Sequence, residues 1–268
     1  MRAYERKEEW LMDNRRWFWR IATAVFAVAF VVSGSFLVIH LLPDGDRPSL
    51  VESRPPSPSS TPDEGPVLVE NPQNFADLQA QNPEIVGWIA IPGTHIDYPI
   101  LQSGTVHPEE DYYLDHDRYG QKKKAGSIYI QQRNSDKFTD PNTVIYGHNM
   151  GNGSMFADLH QFRTNKNGFF DKNDTIYIYA PGKIFTYRIY SAFLFDDRHI
   201  LNSYDFHSTE GYSAFLQETL SPSSMIRRVR EGVTVTDKDR IITLSTCYAQ
   251  DDERYLVVGV LVNEQDTF

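Results

Sequence analysis

Short apolar segments follow one another from residue 86 to residue 262, and they constrain the fold more than any other feature of the chain. They are rich in β-branched and aromatic residues, and the segment Thr-Ile-Tyr-Ile-Tyr at 175–179 places Ile at every second position, as in a strand. The predicted strands are residues 86–91, 96–101, 127–131, 143–146, 175–179, 184–195, 240–246 and 255–262. Strands of this number and spacing predict a mainly β domain, either a closed barrel or a sandwich.

Three helical segments accompany the predicted strands. Residues 74–80 precede the first strand, and Asn74 is suited to cap them as a helix. Residues 154–162 and 209–220 carry apolar side chains at helical spacing and interrupt the strands as inserts. The second insert lies in the long connection before strand 240–246, and such connections often form the walls of binding sites.

An apolar run near the N-terminus predicts a membrane anchor. Residues 21–42 contain no charged side chain, and about 20 apolar residues suffice to cross a bilayer as a helix. Residues 1–20 carry six basic and four acidic side chains, and Arg15, Arg16 and Arg20 directly precede the run. Basic flanks stay in the cytoplasm, so we predict a single-pass protein with its N-terminus in the cytoplasm and residue 43 onward outside the cell. The alternative is a cleaved signal peptide, whose apolar region is normally about 7–15 residues.

The segment after the apolar run predicts a stalk. Residues 43–66 contain seven prolines among polar side chains, a composition that cannot bury a core. We therefore assign residues 43–73 to a stalk and residues 74–268 to the folded domain. The net charge is −10 and the first twenty residues are +2, which leaves −12 on the remainder and argues against nucleic acid as a partner.

The single cysteine, Cys247, follows the predicted strand 240–246. Extracellular cysteines are usually paired, so one without a partner in its own chain either links two chains or serves as a reactive thiol. The apolar stretch before it ends in the polar residues Ser245 and Thr246. This pattern indicates a nucleophile at the rim of a sheet.

A reactive thiol needs a base or a cationic neighbour, and an oxyanion intermediate needs a donor. Of the eight histidines, His148 is the candidate base, because it follows strand 143–146 just as Cys247 follows its own strand. His160 lies in the first helical insert, and the others lie in the apolar run or in polar stretches. Arg254 begins the next strand and offers a charged donor fork. Taken alone, a histidine in a Gly-His-Asn turn is more often structural or solvated, and an arginine at this position is more often the salt-bridge partner of Asp251, Asp252 or Glu253.

Together these residues resemble the sortase family, and its class B in particular. The resemblance rests on Thr-Leu-Ser-Thr-Cys at 243–247, on Arg254, and on Tyr-Gly-His-Asn-Met at 146–150. Class B is indicated by the N-terminal helix, by the Tyr-Gly-His-Asn stretch and by the long connection before the cysteine strand. The likeness covers roughly residues 74–262, and further matching stretches are residues 112–117, 126–130 and 154–159.

The resemblance implies a closed eight-stranded β-barrel with the activity of a cysteine transpeptidase. The Cys247 thiolate, paired with imidazolium His148, would attack a Thr–Gly type bond in the sorting signal of a secreted surface protein or pilin. Arg254 would hold the oxyanion, and Ser245 and Thr246 would line the substrate groove. An amine of a peptidoglycan precursor or a pilin lysine would then resolve the thioester. No cofactor or metal is expected, because one cysteine and scattered histidines lack ligand spacing.

Two other functions are compatible with the same residues. A cysteine protease would hydrolyse the same type of bond without using an added amine. A non-catalytic domain that binds cell-wall components would carry an unreactive Cys247.

Overall fold

One mixed β-sheet closes on itself to form a barrel in the computed structural model, which describes residues 68–247 and 253–268. The strands are β1 (Ile85–Ala90), β2 (Asp97–Leu101), β3 (Ile128–Ile130), β4 (Asn142–Tyr146), β5 (Thr175–Ala180), β6 (Lys183–Asp196), β7 (Arg227–Val229), β8 (Ile241–Cys247) and β9 (Glu253–Asp266). The order around the barrel is β5-β1-β2-β3-β4-β8-β9-β6, and pairing of β5 with β6 closes the ring. The prediction of a mainly β fold with a closed eight-stranded barrel is confirmed.

The ninth strand, β7, was not predicted. It pairs with residues 191–193 of β6, whereas β5 pairs with residues 183–188 of the same strand. β7 therefore lies beyond the end of the β5 pairing and outside the ring of eight. Its three residues are Arg-Arg-Val, a segment without apolar alternation. Backbone pairing with β6 therefore makes this strand, rather than any local pattern of side chains.

Two of the predicted helices form as expected. Helix α1 (Phe75–Gln81) begins after Asn74, whose side chain accepts a hydrogen bond from the Asp77 N–H at 3.2 Å. The insert predicted at 209–220 is a helix with the same bounds, Thr209–Leu220, and Ser208 caps it through the Gly211 N–H. We call it α5, because four shorter α-helices precede it in the described residues.

The insert predicted at 154–162 begins later than expected. A 3₁₀ turn at Ala157–Leu159 leads into helix α2 (His160–Thr164). The Phe156 N–H donates to the carbonyl of His148, and this bond holds residues 154–156 against the loop after β4 instead of in a helix. Two further short helices, α3 (Phe169–Lys172) and α4 (Ile200–Ser203), were not predicted.

Both faces of β8 and of residues 255–260 in β9 are buried, which accounts for the nearly continuous apolar sequence of these segments. Leu244 and Val257 point into the barrel interior and belong to its main apolar cluster. Leu256 and Val258 point outward and pack in a second cluster with side chains of α5, such as Phe215. Because two packed layers hold these strands, their ends form a rigid platform for the residues that follow.

The predicted transmembrane helix at 21–42 and most of the predicted stalk lie outside the described residues. Within ranges 68–247 and 253–268, no helix has the length and hydropathy needed to cross a membrane. Contacts with the barrel are already present at Val69, which pairs with Thr267, and at Asn71, whose side chain donates to the Ala180 carbonyl at 2.9 Å. Both residues belong to the segment that the sequence assigned to the stalk.

Candidate active site

Strand register brings the three predicted chemical groups to one rim of the barrel. β4 and β8 are parallel with Tyr146 opposite Ser245, so His148 and Cys247 each lie two residues beyond the last pair. The Gly147 N–H extends this ladder by donating to the Ser245 carbonyl at 3.1 Å. β8 and β9 are antiparallel, and Cys247 lies directly opposite Arg254. Cys247 therefore has His148 just beyond the end of one neighbouring strand and Arg254 on the other.

These residues line a single cleft of ≈ 200 Å³ together with Ser245 and Thr246. One wall comes from the connection between β2 and β3 and from the strands beside it. The opposite wall comes from the segment after β6, which leads into α4. The other lining residues are Asp111, Leu114, Tyr129, Gln131, Tyr146, Gly147, Asp197, Arg198, His199 and Ile200.

A backbone carbonyl orients the His148 ring. The Nε2 atom of His148 lies 2.8 Å from the carbonyl oxygen of Leu114. A carbonyl only accepts, so Nε2 carries the proton, and in the neutral ring Nδ1 is the basic nitrogen. The residue before it must be glycine, since a Cβ at Gly147 would lie 2.5 Å from Ile128 Cδ1 and 2.7 Å from Phe156 Cδ2.

A second imidazole, His160, contacts Cys247 from the first insert. Its Nε2 lies 3.2 Å from the Cys247 carbonyl oxygen, and its ring stacks on Tyr255 with centroids 5.2 Å apart. Burial lowers the pKa of His160, and the hydrogen bond to the Cys247 carbonyl opposes this shift. The neutral ring thus donates to the end of β8. Sequence reasoning assigned His160 no role, and no local signal exists for a contact between residues 87 positions apart.

Several buried polar atoms of the cleft have no hydrogen-bond partner within the part of the chain that the structure describes. They are Tyr146 Oη, Gln131 Oε1, His199 Nδ1 and Thr246 Oγ1. Buried polar atoms are normally paired, so such atoms beside a cleft are available to a ligand. Burial, followed by the charge of Asp111, raises the pKa of Tyr146 and keeps its phenol protonated as a donor.

Asp111 forms the acidic side of the same cleft. It accepts hydrogen bonds from the Gln131 amide at 2.8 Å and from the Tyr129 hydroxyl at 3.3 Å. Arg254 supplies the basic side. Across residues 68–247 and 253–268, no group of three or more His, Cys, Asp or Glu side chains is arranged to hold a metal ion. The site therefore offers a thiol, an imidazole, a guanidinium, a carboxylate and neutral hydrogen-bonding groups.

Known proteins are similar to this chain in sequence and in fold. The sortase domain family matches residues 89–262, a range that contains His148, Cys247 and Arg254. Sortase B of Listeria monocytogenes is 37% identical over 196 residues, which are 70% of this chain and 74% of the relative. The X-ray structure of Clostridium perfringens sortase B aligns with a TM-score of 0.62 and 32% identity, covering 71% of this chain and 100% of that one. A Staphylococcus aureus sortase B–substrate complex aligns with a TM-score of 0.60 and 32% identity, covering 70% and 84%.

The chain belongs to the sortase family of cysteine transpeptidases. Its relatives and structural neighbours are sortases B, so within the family it is a class B enzyme. The resemblance inferred from the Cys247, His148 and Arg254 motifs is thereby confirmed at the level of family and class.

Proposed function

We propose that this enzyme cleaves a Thr–Gly type bond in the C-terminal sorting signal of secreted proteins and transfers the acyl group to an amine. The observation that carries the proposal is the strand register, which brings His148 and Arg254 to either side of Cys247. One cleft is lined by all three side chains. A nucleophile, a base and a cationic donor within one cleft are what acyl transfer through a thiol requires.

In the first half-reaction the Cys247 thiol gives its proton to His148, and the thiolate attacks the threonine carbonyl carbon. The C–N bond breaks, imidazolium His148 protonates the leaving glycine amine, and a thioester remains on Cys247. In the second half-reaction an amine gives a proton to His148 and attacks the thioester. The S–C bond breaks, and imidazolium His148 returns its proton to the departing Cys247 thiolate. The Leu114 carbonyl supports both steps, because an acceptor on Nε2–H favours the charged ring.

Arg254 is the proposed oxyanion donor in both steps. Its position opposite Cys247 would bring the guanidinium close to the carbonyl under attack. Its Nη1 donates to the Glu253 carbonyl at 3.2 Å, and a guanidinium carries five N–H donors in all. A permanent positive charge in a partly buried cleft stabilises a developing oxyanion more than it stabilises a neutral carbonyl.

The buried polar atoms of the cleft support a proposal about the side chain that the substrate carries next to the threonine. The Tyr146 hydroxyl is a donor and Gln131 Oε1 is an acceptor, and both are buried beside Ser245 and Thr246. A side-chain amide of a bound peptide would satisfy both atoms, so we propose a sorting signal with an amide residue before the threonine. The acceptor is an amine of a peptidoglycan precursor or of a pilin. The transmembrane helix at 21–42 and the stalk at 43–73 would hold the catalytic domain outside the cell, where such substrates emerge.

The test uses the full-length enzyme with peptides that vary the positions before a Thr–Gly bond, with and without triglycine as the amine. We expect a transpeptidation product with triglycine and a Cys247 thioester detectable by mass spectrometry. Cys247→Ala should form neither, whereas Gly151→Ala, in an open part of the loop after β4, should behave like the wild type. Hydrolysis at a rate that triglycine does not alter would instead identify a protease, and an unreactive Cys247 would identify a binding domain.

A further inference from the structure

Glu84 is a buried carboxylate far from the cleft in sequence, and it organises the connection between β2 and β3. Only 1% of its surface is exposed. Its Oε1 accepts the backbone N–H groups of Thr105, Val106 and His107 at 2.9, 2.7 and 3.0 Å. Its Oε2 accepts the Tyr113 hydroxyl at 2.7 Å and lies 2.7 Å from His107 Nδ1. These contacts join two separate parts of the connection between β2 and β3, namely residues 105–107 and Tyr113. The only helical element of this long connection, all of which the structure describes, is a short 3₁₀ turn at Tyr112–Leu114.

The charge of Glu84 makes these contacts strong. Burial by itself would raise the pKa of Glu84, but the hydrogen bonds from Tyr113, Val106 and His107 outweigh it and lower the pKa to about 2. The group is therefore ionised at neutral pH. Hydrogen bonds to an ionised acceptor are roughly twice as strong as neutral ones, so the carboxylate is a firm anchor for this connection.

Tyr113, which donates to Glu84, directly precedes the residue that contacts His148, the proposed catalytic base. Tyr113 is fully buried, and its hydroxyl also accepts the Asn82 amide at 2.9 Å. The next residue is Leu114, whose carbonyl accepts His148 Nε2–H at 2.8 Å. Gly126 packs closely against the same carbonyl, since a Cβ at Gly126 would lie 2.2 Å from its oxygen. Leu114 is 45% exposed, so packing of its own side chain does little to hold this carbonyl in place.

We propose that Glu84 is a positioning residue for His148, acting through Tyr113 and the carbonyl of Leu114. The proposal rests on the catalytic role given to His148 under the proposed function. If the carbonyl moves, the imidazole loses the acceptor that keeps Nε2 protonated and fixes the ring beside Cys247. Misplacement of a reacting group by about 1 Å can cost on the order of 100-fold in rate.

The test compares Glu84→Gln with the wild type in the full-length enzyme. Glutamine keeps the size of the side chain but removes its charge and replaces one acceptor oxygen with a donor. We expect kcat for transfer to triglycine to fall about 10- to 100-fold, with KM within about twofold, because the change acts on the orientation of His148 and not on peptide binding. Tyr113→Phe is a second, milder variant that keeps the ring and removes the hydroxyl donor. It should lower kcat in the same way, and it keeps the test decisive if Glu84→Gln does not fold.

Asp140→Asn is the matched control. This half-buried carboxylate also holds a loop, accepting the Ser135 N–H at 2.6 Å and the Asn134 amide at 3.0 Å, but it has no link to Leu114. Its kcat should stay within about twofold of the wild type.

A double-mutant cycle separates positioning from general stability. The measured quantity is the rate of Cys247 alkylation by iodoacetamide, which does not require turnover. Glu84→Gln should move this rate toward that of His148→Ala and should change nothing further in the His148→Ala background, since the effect passes through His148. A folded Glu84→Gln or Tyr113→Phe with wild-type kcat, or an equal change in both backgrounds, would overturn the proposal. Full transfer activity in His148→Ala would instead overturn the proposed function.

Discussion

The substitution Gly147→Ala tests whether the position of His148 depends on the packing of the residue before it. A Cβ at this position would lie 2.5 Å from Ile128 Cδ1 and 2.7 Å from Phe156 Cδ2, and both of those side chains are essentially fully buried. Neither side chain has space to withdraw, so Gly147→Ala must shift the end of β4. Overpacking of this kind typically costs about 1–3 kcal/mol. For a domain of this size that corresponds to a loss of roughly 2–12 °C in Tm.

The same shift should move His148 away from the Leu114 carbonyl, so we expect kcat to fall by about tenfold or more. Thermal unfolding and transfer kinetics of Gly147→Ala should be measured beside those of Gly151→Ala. A Cβ at Gly151 meets no atom within 4 Å, so that control should change stability by no more than about 0.5 kcal/mol. Equal Tm and kcat in the two variants would refute the packing argument.

Three further predictions concern individual contacts of the cleft. Arg254→Ala should lower kcat by about 10²–10³-fold in the transfer assay, as for loss of an oxyanion donor, and an unchanged kcat would remove Arg254 from the mechanism. Tyr146→Phe should raise KM about fivefold for peptides with an amide residue before the threonine and leave peptides without one unchanged, because it removes one hydrogen-bond donor. The pKa of His160 is lowered in the folded state, so folding stability should be fully present above the ordinary histidine pKa and should decline as pH falls below it. His160→Gln, which keeps an N–H donor for the Cys247 carbonyl, should weaken this decline in unfolding experiments at pH 7.5 and 5, and an identical pH dependence would contradict the assignment.

Much of the fold could be predicted because the signals for it are local. The helix α5 has its predicted bounds, since Ser208 caps one end and Pro222 follows the other. The eight barrel strands follow from apolar alternation and from short runs of β-branched residues. β7 could not be found in this way, because Arg227–Val229 becomes a strand only by pairing with β6. The delayed start of α2 has a similar origin, namely a hydrogen bond from Phe156 to the carbonyl of His148.

The candidate site likewise has one part that the sequence predicts and another that only the tertiary structure decides. Residue type and position at a strand end were enough to select Cys247, His148 and Arg254, because a thiol needs a base and an oxyanion needs a donor. The nearness of His148 to Cys247 was not readable in the chain, since it depends on parallel pairing of β4 with β8. Arg254 is different, because it begins the strand that directly follows Cys247 and pairs with it antiparallel. Which strands become neighbours is settled by closure of the whole barrel.

The groups that support these residues come entirely from tertiary contacts. The Leu114 carbonyl lies 34 positions from His148, and His160 reaches Cys247 across 87 positions. A backbone carbonyl leaves no mark on composition or periodicity, and neither does the buried charge of Glu84. The amino-acid sequence thus specified a β-barrel with a thiol, an imidazole and a guanidinium at its strand ends. The orientation of those groups arises only when the connections between distant strands pack against one another, because hydrogen bonds at such separations form only in the folded chain.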